Sequence, residues 1–419
     1  MARTGIYTSI TDTQLGNQSV SDSIFMLVAP AKAATATGGL KFDLGVAYLI
    51  TSVKDATNLG ITSDNNLLLM FNITEFYEKA GNGTKLWIVG VNATETTSDA
   101  TKFVSFITDS LPEVIQSTTA TNFDNRPRVV GFCGYTTWAK STASDPVIPT
   151  VTQDIVKAAQ TTLENLFTDS IRMCGVVDGL MLNCKTATGI MGEQLATTLT
   201  SCVSLNCPRI GIQITTSTPG SPASVGQTLG WLAGISLATS IGAVMLGSVS
   251  QMGYFIDYNA GTPVNTNVAV ATRAINDELG DKQYIFTRTR PQLPGVYFND
   301  GATCNDPTMA LSSLEFLRVG NAICDSAEAF FVRLLGSNIT TTANGEIDNG
   351  YKASTLDDLY SRYLAPRINR GEAQEINVDF WAKDGDFLAS RAIEVQIEIR
   401  PYASLREVYI ETLFIASQN

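Results

Sequence analysis

Ala392-Ile393-Glu394-Val395-Gln396-Ile397-Glu398-Ile399-Arg400-Pro401 alternates without a fault. Ile393, Val395, Ile397 and Ile399 fall on one side, and Glu394, Gln396, Glu398 and Arg400 on the other. That is the period of a strand with one buried and one wet face. Pro401 has no N–H to give and interrupts the ladder. A second strand-like run, residues 405–415, continues almost to the last residue, and ten residues of strand reach about 30 Å. The face of Ile393, Val395, Ile397 and Ile399 reads equally well as an ordinary strand within a domain. The weight therefore falls on the last run, with Val408, Ile410, Thr412 and Phe414, as a strand given to a neighbour. A chain that gives a strand away is built to polymerise.

Working outward, Ile376 to Trp381 predicts the preceding strand, and Asp384-Gly385 a hairpin-type turn between the two. Thr355 is expected to cap a helix over residues 356–364. Asp306-Pro307 opens a helical region running through Leu314, Arg318, Ala322, Ala327 and Phe330 to Gly336. Residues 291–303, rich in Pro and Gly, read as a joint. At the other end, residues 1 to about 20 are polar, with Ile6, Tyr7 and Ile10 among the few sizeable apolar groups. They read either as a disordered tail or as a second arm that orders against a partner.

Between these ends, strands and helices alternate. Strands are predicted at 24–29, 46–50, 86–91, 129–132, 174–177, 210–214, 243–246 and 283–286. Helices are predicted at 52–59, 67–79, 155–167 and 192–203, with Asp64 and Asn65 as caps for the second. This rhythm implies βαβ units and a largely parallel sheet. No strand is followed by Gly-x-Gly-x-x-Gly or by a Gly-Lys-Ser/Thr loop, which argues against a nucleotide enzyme. Residues 219–256 carry no charge, and within them 229–249 is apolar enough to suggest a membrane span. Gly226-x-x-x-Gly230-x-x-x-Gly234 and the interspersed Ser and Thr favour instead a buried helix that approaches its neighbour closely.

The 419 residues exceed one simple core and point to two or three domains. The charged fraction, 16%, is below the usual quarter, as suits faces covered by copies of the same chain. With 28 basic against 40 acidic side chains and no basic cluster, a DNA-wrapping role is rejected. Histidine is absent, which removes the usual general base and the commonest metal ligand. The seven cysteines are scattered without a C-x-x-C pair, and Cys202 and Cys207 read as reduced thiols rather than zinc ligands. The acidic groups Asp300, Asp306, Asp357 and Asp358 read as solvated turns and helix starts. No catalytic, cofactor or metal residue is expected.

Three stretches carry a resemblance. Phe76-Tyr77-Glu78-Lys79-Ala80-Gly81-Asn82-Gly83 leads into Leu86-Trp87-Ile88-Val89-Gly90-Val91. Leu232-Ala233-Gly234 is followed by Ser240-Ile241-Gly242. Near the end, a long and a short helix and a strand hairpin precede Ile397-Glu398-Ile399-Arg400-Pro401 and a strand containing Glu407. In this order, over roughly residues 20–415, the chain resembles the contractile tail sheath family of phage tails, tailocins and related injection systems. One departure is Gly90, where the family often ends the strand with an arginine.

The resemblance implies an α/β fold, α+β in its C-terminal part, with a discontinuous inner domain, an inserted outer α/β domain and extended N- and C-terminal β arms. The expected divisions are an arm at 1–20, inner domain at 21–100, inserted domain at 101–290, inner domain again at 291–403, and an arm strand at 404–419. It implies no enzyme but a structural subunit that stacks as hexameric rings around an inner tube and contracts to drive that tube through an envelope, with DNA ejection in a phage. The partners implied are neighbouring copies, the tube protein, and baseplate and tail terminator proteins, with no nucleic acid and no membrane insertion. Arg318, Arg333, Arg362, Arg367 and Arg370 are candidates to face an acidic tube, with ordinary solvated arginines as the plainer reading. The location implied is a virion tail assembled in the bacterial cytoplasm, or the cytoplasm itself for an injection system. A capsid or surface lattice is the next alternative, and an α/β hydrolase the last.

Overall fold

In the computed structural model, the described residues are 23–94, 97–121, 125–135, 138, 148–179, 200–218, 224–259 and 262–402. Seven strands make the central sheet: β1 (Phe25–Ala31), β2 (Ala47–Ile50), β3 (Leu86–Asn92), β4 (Val129–Phe132), β5 (Cys174–Asp178), β6 (Ile210–Gln213) and β7 (Tyr284–Ile285). Their spatial order is β7-β6-β5-β4-β1-β3-β2, parallel throughout except for β2 at the edge. Parallel strands need both faces covered, so they are continuous apolar runs rather than alternating ones. All seven residues of β1 are buried. Its Pro30 lies beyond the last pairing with β4, Val28↔Phe132, where the missing N–H breaks no ladder on that side.

Alternate residues of β1 feed two cores. Met26 and Val28 pack on one face with Phe103, Ile107 and Leu163. That layer comes from helical turns over 97–121 and from α2 (Thr150–Thr168). Phe25, Leu27 and Ala29 pack on the other with Ile73, Phe76, Leu229 and Leu317. This second layer is α1 (Leu67–Ala80), α3 (Val225–Gly234) and the start of α4 (Leu314–Phe331). The small-residue spacing does what it predicts: a Cβ on Gly226 would stand 2.1 Å from the Asn72 carbonyl oxygen, and one on Gly230 2.4 Å from that of Phe76. The Gly226 N–H also donates to Asn72 Oδ1 at 2.8 Å. Thus α3 lies backbone to backbone on α1.

Helix α4, eighteen residues long, extends about 27 Å and leaves the sheet. Its second half, with Val319, Ile323, Ala327 and Phe330, enters a third core with Leu359, Leu364 and Ile376. That core belongs to α5 (Asn349–Leu359), the turns after it, and a two-stranded ribbon of β8 (Glu375–Ala382) and β9 (Ile393–Arg400).

Strands from both sides of residue 100 lie in the central sheet. Several expectations are corrected. Residues 243–246 are not a strand: Val244–Leu246 is a 3₁₀ turn, and Met245 is 94% exposed. Residues 291–303 hold a strand, Val296–Phe298, paired with Thr287–Thr289. Asn65 accepts from the Thr62 N–H rather than capping α1, and the residue at the cap, Asn66, bonds instead to the Lys32 backbone. Asp348, not Thr355, caps α5 through the Gly350 and Tyr351 N–H groups. Asp306 caps only a turn, at the Thr308 N–H. Asp384 and Gly385, both at positive φ, begin a longer connection containing the helical turn Phe387–Ser390 rather than a two-residue hairpin. Most of the helix expected at 192–203 lies outside the described residues. Among the described residues no helix is long and apolar enough to cross a membrane.

Candidate assembly interface

The ribbon forms because both strands alternate in phase. Ile376, Val378, Phe380 and Ala382 stand opposite Ile399, Ile397, Val395 and Ile393, so one face is apolar throughout. Cross-strand pairs of this kind are the stabilising unit of a sheet. The face is unevenly covered. Ile376, Phe380 and Ala382 are buried against α4 and α5, whereas Val395 is 37% exposed and Ile393, Ile397 and Ile399 are half-buried. On the opposite face Trp381 Nε1 donates to Glu394 Oε2 at 3.0 Å. Neither strand has a further ladder partner among the described residues. Two strands alone are marginal in water, and their open edges are templates for another strand.

The arm residues Ile6, Tyr7, Ile10, Val408, Ile410, Thr412 and Phe414 lie outside the described residues. The five arginines separate into two groups. Arg333, Arg362 and Arg370 are exposed on the C-terminal helical layer. Arg333 lies over the Tyr363 ring, and Arg362 and Arg370 pair with Asp358 and Glu372. Arg318 and Arg367 are buried within the chain and cannot face a tube. Arg318 donates to the Leu232 carbonyl at 3.0 Å. Arg367 donates to Ser326 Oγ at 3.1 Å and to Glu372 at 2.9 Å. Both have local partners that replace water, which is what allows a guanidinium inside.

The sequence reading missed the strongest electrostatic feature. Arg126 and Arg128 lead into β4, and Arg172 leads into β5. All three converge on Asp325 of α4: Arg126 Nη2 at 2.7 Å, Arg172 Nη1 at 2.8 Å, and Arg128 through Nη1. Arg172 also pairs with Glu328, and the Arg172 and Arg209 guanidinium groups lie over the Phe167 ring, Arg209 at 4.1 Å. Burial, with Arg128 beside it, pulls Arg126 down to about 10. For Arg172 burial works against the charge, but Glu328 and Asp325 win and raise it. A signal was present. Arg318, Asn321, Asp325 and Glu328 repeat at helical spacing as a polar stripe on an otherwise apolar helix, and Arg126-x-Arg128 alternates on one side of a strand. This cluster ties the sheet to the C-terminal layer.

In sheets of this topology ligands bind outside the carboxyl ends of the strands. Here Asp178 ends β5, fully buried, and accepts from the Gly134 N–H at 3.1 Å. Burial, with the Glu75 charge nearby, holds its carboxyl well above the usual range. Glu75 is likewise raised by burial, against a hydrogen bond from Ser217. Gln213, at the end of β6, donates to the Thr215 and Ser224 carbonyls. Cys202, Cys207 and Cys304 are buried together, the Cys207 N–H donating to the Cys304 carbonyl at 2.7 Å. Among the described residues no group of His, Cys, Asp and Glu is arranged to hold a metal.

Residues 4–302 match the family described as DUF2586, N-terminal domain. The match ends close to the joint expected at 291–303. No curated protein matches the sequence. Among solved structures the chain is similar to one in the contracted helical sheath of the anti-feeding prophage, 11% identical, covering 99% of each chain with a TM-score of 0.55. It is similar to one in the contracted PVC sheath complex of an extracellular contractile injection system, 12% identical, covering 99% of this chain and 98% of that one at 0.54. A chain of the anti-feeding prophage baseplate matches at 11% identity and 0.54, covering 99% of this chain and all of the other. The sheet, the bridging helix and the terminal ribbon therefore follow one plan from end to end: the chain belongs to the DUF2586 family and has the contractile sheath fold.

Proposed function

We propose that this chain is the sheath subunit of a contractile injection machine, forming stacked hexameric rings around an inner tube. The observation that carries the proposal is the likeness in fold over 99% of the chain to proteins of contracted sheaths. The ribbon supports it: two strands with open edges and a half-covered apolar face are a place for a neighbour's strand. Residues 1–20 and 404–419, with Ile6, Tyr7, Ile10, Val408, Ile410, Thr412 and Phe414, are the strands offered. Main-chain hydrogen bonds supply affinity in such augmentation, and alternate side chains the specificity. One patch meets a different patch, and such heterologous contacts generate rings and helices.

Residues 21–100 and 291–403 form the tube-facing domain, and Arg333, Arg362 and Arg370 meet the tube. Residues 101–290 are the insertion on the outside. Contraction exchanges a smaller inter-subunit contact for a larger one. Each further 100 Å² of apolar area is worth roughly 2.5 kcal/mol, summed over every subunit. The machine is a phage tail in a virion, a tailocin, or an injection system assembled in the bacterial cytoplasm, and in each the sheath joins a baseplate and a terminator.

The test is negative-stain microscopy of the full chain, alone and with its tube protein, beside a chain ending at residue 403. Hollow striated tubes from the full chain and folded monomers from the shortened one are expected. Regular tubes from the shortened chain would sink the strand-donation model, and a full chain that stays monomeric with the tube present would sink the sheath reading.

A further inference from the structure

We propose that Cys207 and Cys304 are a redox-sensitive latch, a pair of thiols that a low-molecular-weight disulfide such as oxidised glutathione converts into a disulfide bond. Cys207 stands just before β6, and Cys304 lies in the stretch that leads to α4. The two face each other across an antiparallel bridge. The Cys207 N–H donates to the Cys304 carbonyl, and the Cys304 N–H to the Ile210 carbonyl, each at 2.7 Å. Directly opposed residues of such a pair have Cα atoms roughly 4.5–5.5 Å apart. A disulfide spans roughly 4.4–6.8 Å between its Cα atoms. The bridge is isolated, so no longer ladder fixes the two backbones at strand spacing, and a small shift brings the sulfurs together. Both are free thiols, Cys304 fully buried and Cys207 3% exposed.

A buried cysteine is ordinarily a small apolar filler, but these two are paired by the backbone itself. Cys207 is also the thiol nearest to an entrance. It follows Asn206, an exposed residue at positive φ that ends the short turn Cys202–Leu205. Opening that single turn admits the oxidant without disturbing the sheet. The Cys207 thiolate then attacks one sulfur of oxidised glutathione, whose S–S bond breaks, and one glutathione leaves and takes up a proton. Cys304 gives up its proton and attacks the Cys207 sulfur, and the second glutathione leaves. Two protein thiols are oxidised and one glutathione disulfide is reduced to two thiols. Burial, with Cys304 beside it, pushes the Cys207 thiol up to about 12, which makes the exchange slow. The bond ties the segment entering α4 to the start of β6 and closes a long loop carrying β6, α3 and β7, which stabilises the folded chain. The inference stands on this chain's own geometry and is independent of the sheath reading.

The experiment uses the purified full chain, incubated in its native state with oxidised glutathione, quenched in acid, alkylated and mapped by peptide mass spectrometry. A linked pair of peptides carrying Cys207 and Cys304 is expected, about 2 Da lighter than the two reduced peptides together. The oxidised chain should melt at least about 2 °C above the reduced one, and dithiothreitol should reverse both changes. Cys304→Ala should melt at one temperature in oxidant and reductant, whereas Cys324→Ala should keep the wild-type shift. Cys207 and Cys304 both remaining open to alkylation after the incubation would overturn the proposal, a reading that needs no variant to fold. So would a bond from Cys304 to Cys202 in place of Cys207, or a redox shift in Tm that survives Cys304→Ala.

Discussion

The seven-stranded sheet and the terminal ribbon are made from similar apolar residues and are finished to different degrees. In the sheet every residue of β1 is buried, between a ladder on each side and a helical layer on each face. In the ribbon only β8 has a covered side, and β9 alternates half-buried and exposed residues with an open edge. Buried runs need no partner beyond the chain, whereas an alternating pair with uncovered apolar groups is complete only when something is added. Under the proposed function, the difference separates what holds the subunit together from what would hold subunits to one another.

Three changes sharpen or break that comparison. The largest effect belongs to Asp325, which ties β4 and β5 to α4. Asp325→Ala should take the carboxylate away from two buried guanidinium groups, Arg126 and Arg128, and cost about 3–5 kcal/mol, measured by urea unfolding of the monomer. A loss below about 1 kcal/mol would mean that the sheet and the C-terminal layer are joined by apolar packing alone.

The next is Asp178, whose carboxyl burial holds well above the usual range. A raised folded pKa means that the folded chain keeps a proton the unfolded chain gives up. Its stabilising contribution is full below about pH 4 and is lost as pH rises through the folded value. Asp178→Asn keeps an acceptor for the Gly134 N–H and should raise stability at pH 8 by about 1 kcal/mol. The fall in Tm between pH 5 and pH 8 should be shallower than in the wild type. An unchanged slope would assign that pH dependence to Glu75.

The smallest effect on the monomer is expected at the ribbon. Val395→Asp adds charge to a partly exposed site and should change monomer stability by less than about 1 kcal/mol, yet abolish striated tubes. Tubes at wild-type yield would move the joining surface elsewhere on the molecule.

Much of this was legible because burial leaves a pattern. The runs at 24–29, 86–91, 129–132 and 174–177 are apolar on both faces and read as parallel strands, and the ribbon reads from its alternation. Gly226 and Gly230 announced a close approach, though not that α1 would be the partner, since that depends on Asn72 and Phe76, far away in the chain. The failures have physical reasons. Ala243-Val244-Met245-Leu246 is as apolar as a strand, but glycines on both sides let it turn outward. Arg318 and Arg367 have the residue type of a surface and are buried because a carbonyl and a hydroxyl from distant segments meet them. The Asp325 cluster needs three arginines from just before two strands and one acid from a helix about 150 residues or more further on. No local window contains it.

The backbone contact between α1 and α3 has a mechanical meaning. Where Gly226 and Gly230 bring one helix onto the carbonyls of another, no long side chains lie between them to flex or change rotamer. Packed interiors are barely compressible, and this seam has less give than most. The two helices therefore behave as a single stiff plank laid across the sheet. A push arriving at one end of this helix pair should reach its other end with little absorbed on the way.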